Sequence, residues 1–195
     1  FLKNYSNRKC SVELLHGYMS NEEMAGLMTH PKIKCLVSLT HGEGFGLPIF
    51  EAAINNLPIV TVGWSGHCDF LYWPKEVRKR NAKTGKTTVT ELATKEPLFT
   101  EVSYSINEIP PEAVWPGVLE RGSRWAFADE TDSKRKMRFV FENYKKCVNM
   151  AKKLSDKVIV KFEPERQYEL FADAVWSPSA EEEDWQKEIE KIEAV

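Results

Sequence analysis

Cysteine is too scarce and too scattered in this chain to organise it. Cys10, Cys35, Cys68 and Cys147 form no Cys-x-x-Cys pair. That argues against a metal site of the common thiolate type. A disulfide framework is also unnecessary, because a chain of 195 residues buries enough surface to hold a core of its own. An excess of one charge is missing too: 27 Lys and Arg stand against 29 Asp and Glu. No global basic field points to nucleic acid or an anionic bilayer. No apolar run approaches the roughly 20 residues that span a membrane, and the start carries no signal-peptide pattern. The expectation is a cytoplasmic protein with reduced thiols. An initial Met is absent as well, and a chain opening on Phe1 reads as a piece of a longer one.

What is present is a globular composition, 42% hydrophobic and 11% aromatic. Val12 to Leu15 reads as a short strand ending at His16-Gly17. Ser20 and Glu23 form a capping box that opens a helix, with Met24, Leu27 and Met28 on its apolar face and Pro31 after its end. Ile33 to Leu39 is a nearly continuous apolar run, the pattern of a strand covered on both faces. Gly42, Gly44 and Gly46 follow, then Pro48 and an amphipathic helix from Ile49 to Asn56. Ile59 to Val62 is the next buried strand. This alternation predicts an α/β fold, a parallel sheet wrapped by helices.

The stretch from 74 to 127 reads as a long irregular insertion. Lys75, Arg78, Lys79, Arg80, Lys83 and Lys86 lie among Thr and Asn, and the part beyond Glu108 is rich in Pro, Gly and Trp. Leu98 to Ile106 is a possible strand within it. One long helix is expected from Thr131 to Leu154 and another from Pro164 to Val175. These elements form one domain over 1–176, followed by an acidic tail over 177–195.

The chemistry concentrates between Thr40 and Glu51. A glycine-rich turn that leaves a buried parallel strand and enters a helix is an anion site. Glycine lets the backbone approach closely, the first helical amides are unpaired, and the helix dipole favours negative charge. Glu43 and Glu51 flank this turn. A carboxylate does not bind phosphate, but it accepts hydroxyl hydrogen bonds well. Amide donors flanked by two hydroxyl acceptors match a hydroxyl-rich ligand with a diphosphate in its middle.

The run Thr40-His41-Gly42-Glu43-Gly44-Phe45-Gly46-Leu47-Pro48-Ile49-Phe50-Glu51-Ala52 resembles the Glu-x7-Glu signature of retaining glycosyltransferases of the GT-B fold, the group-1 enzymes similar to glycogen synthases and mannosyltransferases. Asn56-Leu57-Pro58-Ile59-Val60 resembles the strand that follows, with Asn56-Leu57 where glycine is usual. Trp115-Pro116-Gly117 and Gly122-Ser123-Arg124-Trp125 are similar to a later loop of some members. The resemblance implies a Rossmann-like parallel sheet with helices on both faces, the C-terminal half of a GT-B protein, with no clear match here for its first strand. It implies that Glu43 is the catalytic-site carboxylate that holds the donor sugar. The amides of Gly44, Phe45, Gly46 and Leu47, with His41 beside them, would face sugar and diphosphate. Glu51 would bind the ribose, and Gly17, Tyr18 and Met19 would lie on the nucleobase side.

The same resemblance implies a nucleotide-sugar donor, a glycan or lipid-linked acceptor held through an N-terminal domain not seen here, and no metal or other cofactor. Because the family's basic Arg and Lys pair has no clear match before Val12, the 195-residue chain is expected not to catalyse transfer alone. The alternative is a non-catalytic nucleotide-sugar-binding module, or a truncated half of a GT-B protein. A non-transferase relative, an epimerase or phosphorylase, is a third reading, though nothing suggests a lysine-held pyridoxal phosphate. Thr84-Gly85-Lys86-Thr87 echoes the end of a P-loop but lacks its first glycine and preceding strand. The cluster Lys134-Arg135-Lys136 with Arg138, Lys145 and Lys146 reads as a solvated helix face. Contact with an anionic membrane surface is its functional alternative.

Overall fold

The computed structural model describes residues 10–80 and 84–176. The acidic tail, together with Lys3, Arg8, Lys9 and Lys83, lies outside them. In chain order the elements are α1 (Asn21–Thr29), β1 (Leu36–Ser38), α2 (Leu47–Ile54), β2 (Ile59–Val62), α3 (Cys68–Leu71), β3 (Tyr72–Arg80) and β4 (Thr87–Pro97). There follow β5 (Thr100–Val102), β6 (Tyr104–Glu108), β7 (Arg124–Ala128), α4 (Glu130–Glu142), α5 (Tyr144–Lys161) and α6 (Pro164–Trp176).

The chain is mixed α/β. β1, β2 and β5 form a parallel sheet in the order β1-β2-β5. β3 pairs antiparallel with β4, and β6 with β7. Successive side chains on β2 point to opposite faces. Ile59 joins a core with Ile49, Ala52 and Ala53 of α2, Phe70 and Leu71 of α3, and Leu154 and Val158 of α5. Val60 and Val62 join Val102, Val140 of α4 and Cys147 of α5. Helices therefore cover both faces of the small sheet, and α5 contributes to each core.

Local chemistry explains the first elements. The Ser20 hydroxyl accepts the Glu23 amide at 3.2 Å, and the Glu23 carboxylate accepts the Ser20 amide at 2.8 Å. Two donors beyond the reach of helical carbonyls are thereby satisfied. α2 ends on Asn56 at φ 59°. The Asn56 and Leu57 amides turn back to Ala53 O at 3.3 Å and Ala52 O at 3.0 Å. Asn accepts the left-handed conformation more readily than other non-glycine residues. This is why it stands where the resembled family usually has glycine.

Four expectations need correction. Val12 to Leu15 is not a strand: these residues have no regular structure, and Val12, Leu14 and Leu15 are 49%, 83% and 69% exposed. An apolar run this short specifies a strand only where a partner edge receives it. The run from Ile33 to Leu39 yields only the three residues of β1, and Val37 is exposed at 42% rather than covered on both faces. The stretch 74–127 is not irregular, because it carries most of β3 and β7 and all of β4, β5 and β6. The single helix from Thr131 is two helices. Asn143 breaks it, with its amide and its side chain both bonded to Phe139 O, at 2.8 and 3.0 Å.

The β3–β4 hairpin escaped detection because nearly all of β4 is exposed and shows no apolar alternation. Ion pairs to α5 fix its base, Lys157 to Glu76 and Lys153 to Glu96, both at 2.6 Å. The P-loop echo sits at the β4 end of its turn, where Gly85 has φ 68°.

α4 meets the sheet through Asp132, whose residue is 5% exposed. Its carboxylate accepts the Ser103 amide at 2.8 Å and Arg135 Nε at 2.9 Å. The Ser103 amide first, then Arg135, holds its pKa down at about 2. A carboxyl depressed on folding stabilises above its unfolded pKa and loses that contribution as pH falls through the folded one. Asp132→Asn should therefore cost about 2 kcal/mol at pH 7. The gap should begin to close below about pH 4 and be nearly gone near pH 2. Denaturant melts across that range check this, and an equal gap at both ends would mean that the charge is not the source.

Candidate functional site

The glycine-rich stretch leaves the carboxyl end of β1 and enters α2. Gly46 caps α2 at φ 84° and ψ 54°, and a Cβ there would stand 3.1 Å from the His67 Cβ. Glycine is required on both counts. Gly44 is the opposite case: it is exposed, and a Cβ would meet nothing within 4 Å. Between them Phe45 turns inward, its ring 5.2 Å from both Phe50 and Phe70 and 5.8 Å from Phe162. The Phe45 side chain anchors the loop, the Gly44 carbonyl packs against Gly66, and only the Cα side of Gly44 is open.

Within α2 the first engaged amides are those of Ile49 and Phe50, both 2.9 Å from Gly46 O. Earlier amides have no intrahelical acceptor, and Pro48 has none to offer. Leu47 is 64% exposed. Glu51 lies one turn further on, half-buried. Its own carbonyl is occupied by the Asn55 amide and side chain, at 3.2 and 2.9 Å.

Glu43 is held from a second loop. Residues 63–67 leave the carboxyl end of β2, the strand beside β1. The Ser65 hydroxyl accepts the Glu43 amide at 3.1 Å and donates to Glu43 O at 2.7 Å. The Gly66 amide donates to the same carbonyl at 3.0 Å. His67 is wholly buried and donates from Nε2 to Val62 O at 2.8 Å. A carbonyl only accepts, so that nitrogen carries the proton. His67 thus closes the second loop onto its own strand.

His41 is placed by β7. Its Nδ1 donates to Ala126 O at 2.8 Å, and Ala126 N returns to His41 O at 3.3 Å. Its ring stacks on Trp125 at 4.8 Å and 10°. The tautomer is set by the carbonyl, so Nε2 is the ring nitrogen left to face a ligand.

The structure thus brings His41, Glu43, Gly44, Phe45, Gly46, Leu47 and Glu51 together around one turn at the carboxyl end of the sheet. In open α/β sheets that is the end where ligands bind. Among the described residues no hydrogen bond links Gly17, Tyr18 or Met19 to it. Tyr18 is 93% exposed, and the hydrogen bonds that clip the turn run among residues 41–46, 63–67 and 126. The contributions of Gly63, Ser65 and Gly66 were missed from the sequence. Their one signal is Gly63-Trp64-Ser65-Gly66 directly after a buried strand, the same placement as the first loop.

No family model matches the chain, and no solved structure does. The chain has a weak, partial similarity to a glycosyltransferase. It is 35% identical over 77 residues to the MMP alpha-(1->4)-mannosyltransferase of Mycolicibacterium hassiacum. The matched stretch covers 35% of this chain and 18% of that protein's length.

Other chemistry finds little purchase. Among the described residues no group of three or more His, Cys, Asp and Glu is arranged to hold a metal. Burial, then Cys147 nearby, pushes the Cys35 thiol up to about 12. Burial, then Glu101 and Asp69, pushes Cys68 up to about 11. Neither is a thiolate near neutral pH. Among the described residues no helix is long and apolar enough to cross a membrane. In the basic cluster Lys134 pairs with Glu130 and Arg135 with Asp132, both at 2.5 Å.

Proposed function

We propose that this chain is the donor-binding part of a retaining glycosyltransferase. It would hold a nucleotide-diphosphate sugar whose hexose passes to a hydroxyl acceptor in the whole protein. The observation that carries this reading is the turn at the carboxyl end of β1. It combines an exposed Gly44, a helix start with no side-chain cap and an exposed Leu47, and the two carboxylates Glu43 and Glu51. The parallel sheet with helices on both faces supports a Rossmann-like half of a GT-B protein. The partial similarity to a mannosyltransferase agrees with it.

In this reading Glu43 accepts hydroxyls of the sugar, and Glu51 accepts those of the ribose. The amides of Phe45, Gly46 and Leu47 face the sugar and diphosphate, since anionic oxygens gain most from oriented amides at a helix start. His41 Nε2 lies beside the sugar. Retention requires the acceptor to enter on the face from which the diphosphate departs. The departing phosphate oxygen then takes the acceptor proton as the new glycosidic bond forms.

Calorimetry and thermal shift with UDP, GDP and ADP sugars test this. One of them should raise the melting temperature. Glu51→Ala should weaken that binding about tenfold or more, as expected for losing charge-assisted hydrogen bonds. If no nucleotide sugar stabilises the chain, donor binding is wrong. If Glu51→Ala binds like the parent, the ribose assignment is wrong.

A further inference from the structure

We infer that Ser65 is a positioning residue for the donor turn, one that sets where Glu43 stands. The inference rests on the donor-binding reading above. Ser65 has φ 83°, a conformation that side chains other than Gly, Asn and Asp rarely adopt. A turn that needed only this backbone path would be served better by glycine. What serine adds is a hydroxyl, and it is used in both directions: it accepts the Glu43 amide and donates to Glu43 O. With the Gly66 amide on the same carbonyl, the backbone of Glu43 is held at its nitrogen and at its oxygen. The carboxylate is then aimed from a fixed Cα.

The loop that carries Ser65 is itself supported. At its start, Tyr72 Oη donates to Glu101 Oε1 at 2.7 Å. This pair lies directly against Gly63, where a Cβ would come within 2.2 Å of the phenol oxygen and 2.5 Å of the carboxylate. Burial, and then the hydrogen bond to Glu101, pushes the Tyr72 phenol well above its usual range, so it remains a donor. At the other end of the loop is the His67 bond to Val62 O. Tyr72 opens β3 and Glu101 lies in β5, so the hairpin base and the sheet together brace the loop that braces Glu43. The chain of contacts runs from Tyr72 and Glu101 through Gly63 to Ser65, and from Ser65 to Glu43.

Ser65→Gly separates positioning from stability. It removes the hydroxyl and relieves the left-handed backbone, so the variant should melt within a few degrees of the parent. The Glu43 and Gly66 amides, both bonded within this clip, should nevertheless exchange with solvent about tenfold faster. Affinity for the stabilising nucleotide sugar should fall about tenfold. Affinity for the matching nucleoside diphosphate should stay within about twofold, because Glu51 and the helix start are untouched. Ser65→Ala, which loses the hydroxyl and keeps the backbone conformation, should melt lower than Ser65→Gly. If the parent binds a nucleotide sugar and Ser65→Gly binds it equally well with unchanged exchange, the positioning role is overturned and the donor reading stands. If the parent binds no nucleotide sugar, both fall together.

Discussion

Gly66→Ala should disrupt the candidate site more than any other single methyl group added to it. A Cβ at Gly66 would stand 1.8 Å from Gly44 O, 2.7 Å from the Gly44 carbonyl carbon and 3.0 Å from Glu43 O. All three are backbone atoms of the glycine-rich turn, so no flexible side chain can move aside. Either the second loop lifts away, losing the Gly66 amide and Ser65 hydroxyl bonds to Glu43, or the turn shifts against the Phe45 anchor. We expect a cost of roughly 3 kcal/mol and loss of nucleotide-sugar binding in calorimetry. Gly44→Ala is the internal comparison: its Cβ meets open space, so it should melt like the parent, and any loss of binding would come from the ligand side. A Gly66→Ala chain that melts and binds like the parent would show that the two loops do not approach as closely as described.

The second large effect is expected at Phe70. Its ring is wholly buried and lies 5.2 Å from Phe45, 5.4 Å from Phe50 and 6.3 Å from Phe162. Truncation to Ala removes the buried ring and leaves a cavity among rings that cannot collapse fully, at a cost of about 3–5 kcal/mol. For a chain of this size that is a fall of about 10 °C in melting temperature. Since Phe45 belongs to the glycine-rich turn, the same variant should also loosen Gly44 and Gly46, and amide exchange there should quicken more than in α4. Phe171→Ala is the control: that side chain is 68% exposed, and surface truncations of this kind cost about 0.5 kcal/mol or less. Equal losses at the two positions would mean that the aromatic cluster is not a core.

The features legible in the sequence act over a few residues. Ser20 and Glu23 meet within one helical turn, and the expected helix start is the observed one. The glycine turn with Glu43 and Glu51 is likewise local, because a strand, a turn and a helix are written consecutively and their junction is the candidate site. Two buried faces of β2 could be read from four apolar or β-branched residues in a row. Where the local pattern was ambiguous, tertiary structure decided. Val12 to Leu15 has strand-like composition but no partner edge among the described residues. The β3–β4 hairpin has strand partners without strand-like apolar alternation, since backbone pairing and ion pairs to α5 hold it.

The turn from Thr40 to Glu51 shows the same division at closer range. Sequence alone determined its residue types, its glycines and the side-chain chemistry it offers, because those depend on neighbours in the chain. Only the tertiary structure decided how it is held. Ser65 reaches Glu43 across 22 positions and Ala126 reaches His41 across 85. Such contacts follow from how parallel strands and their loops come to lie side by side, and no local spacing records that.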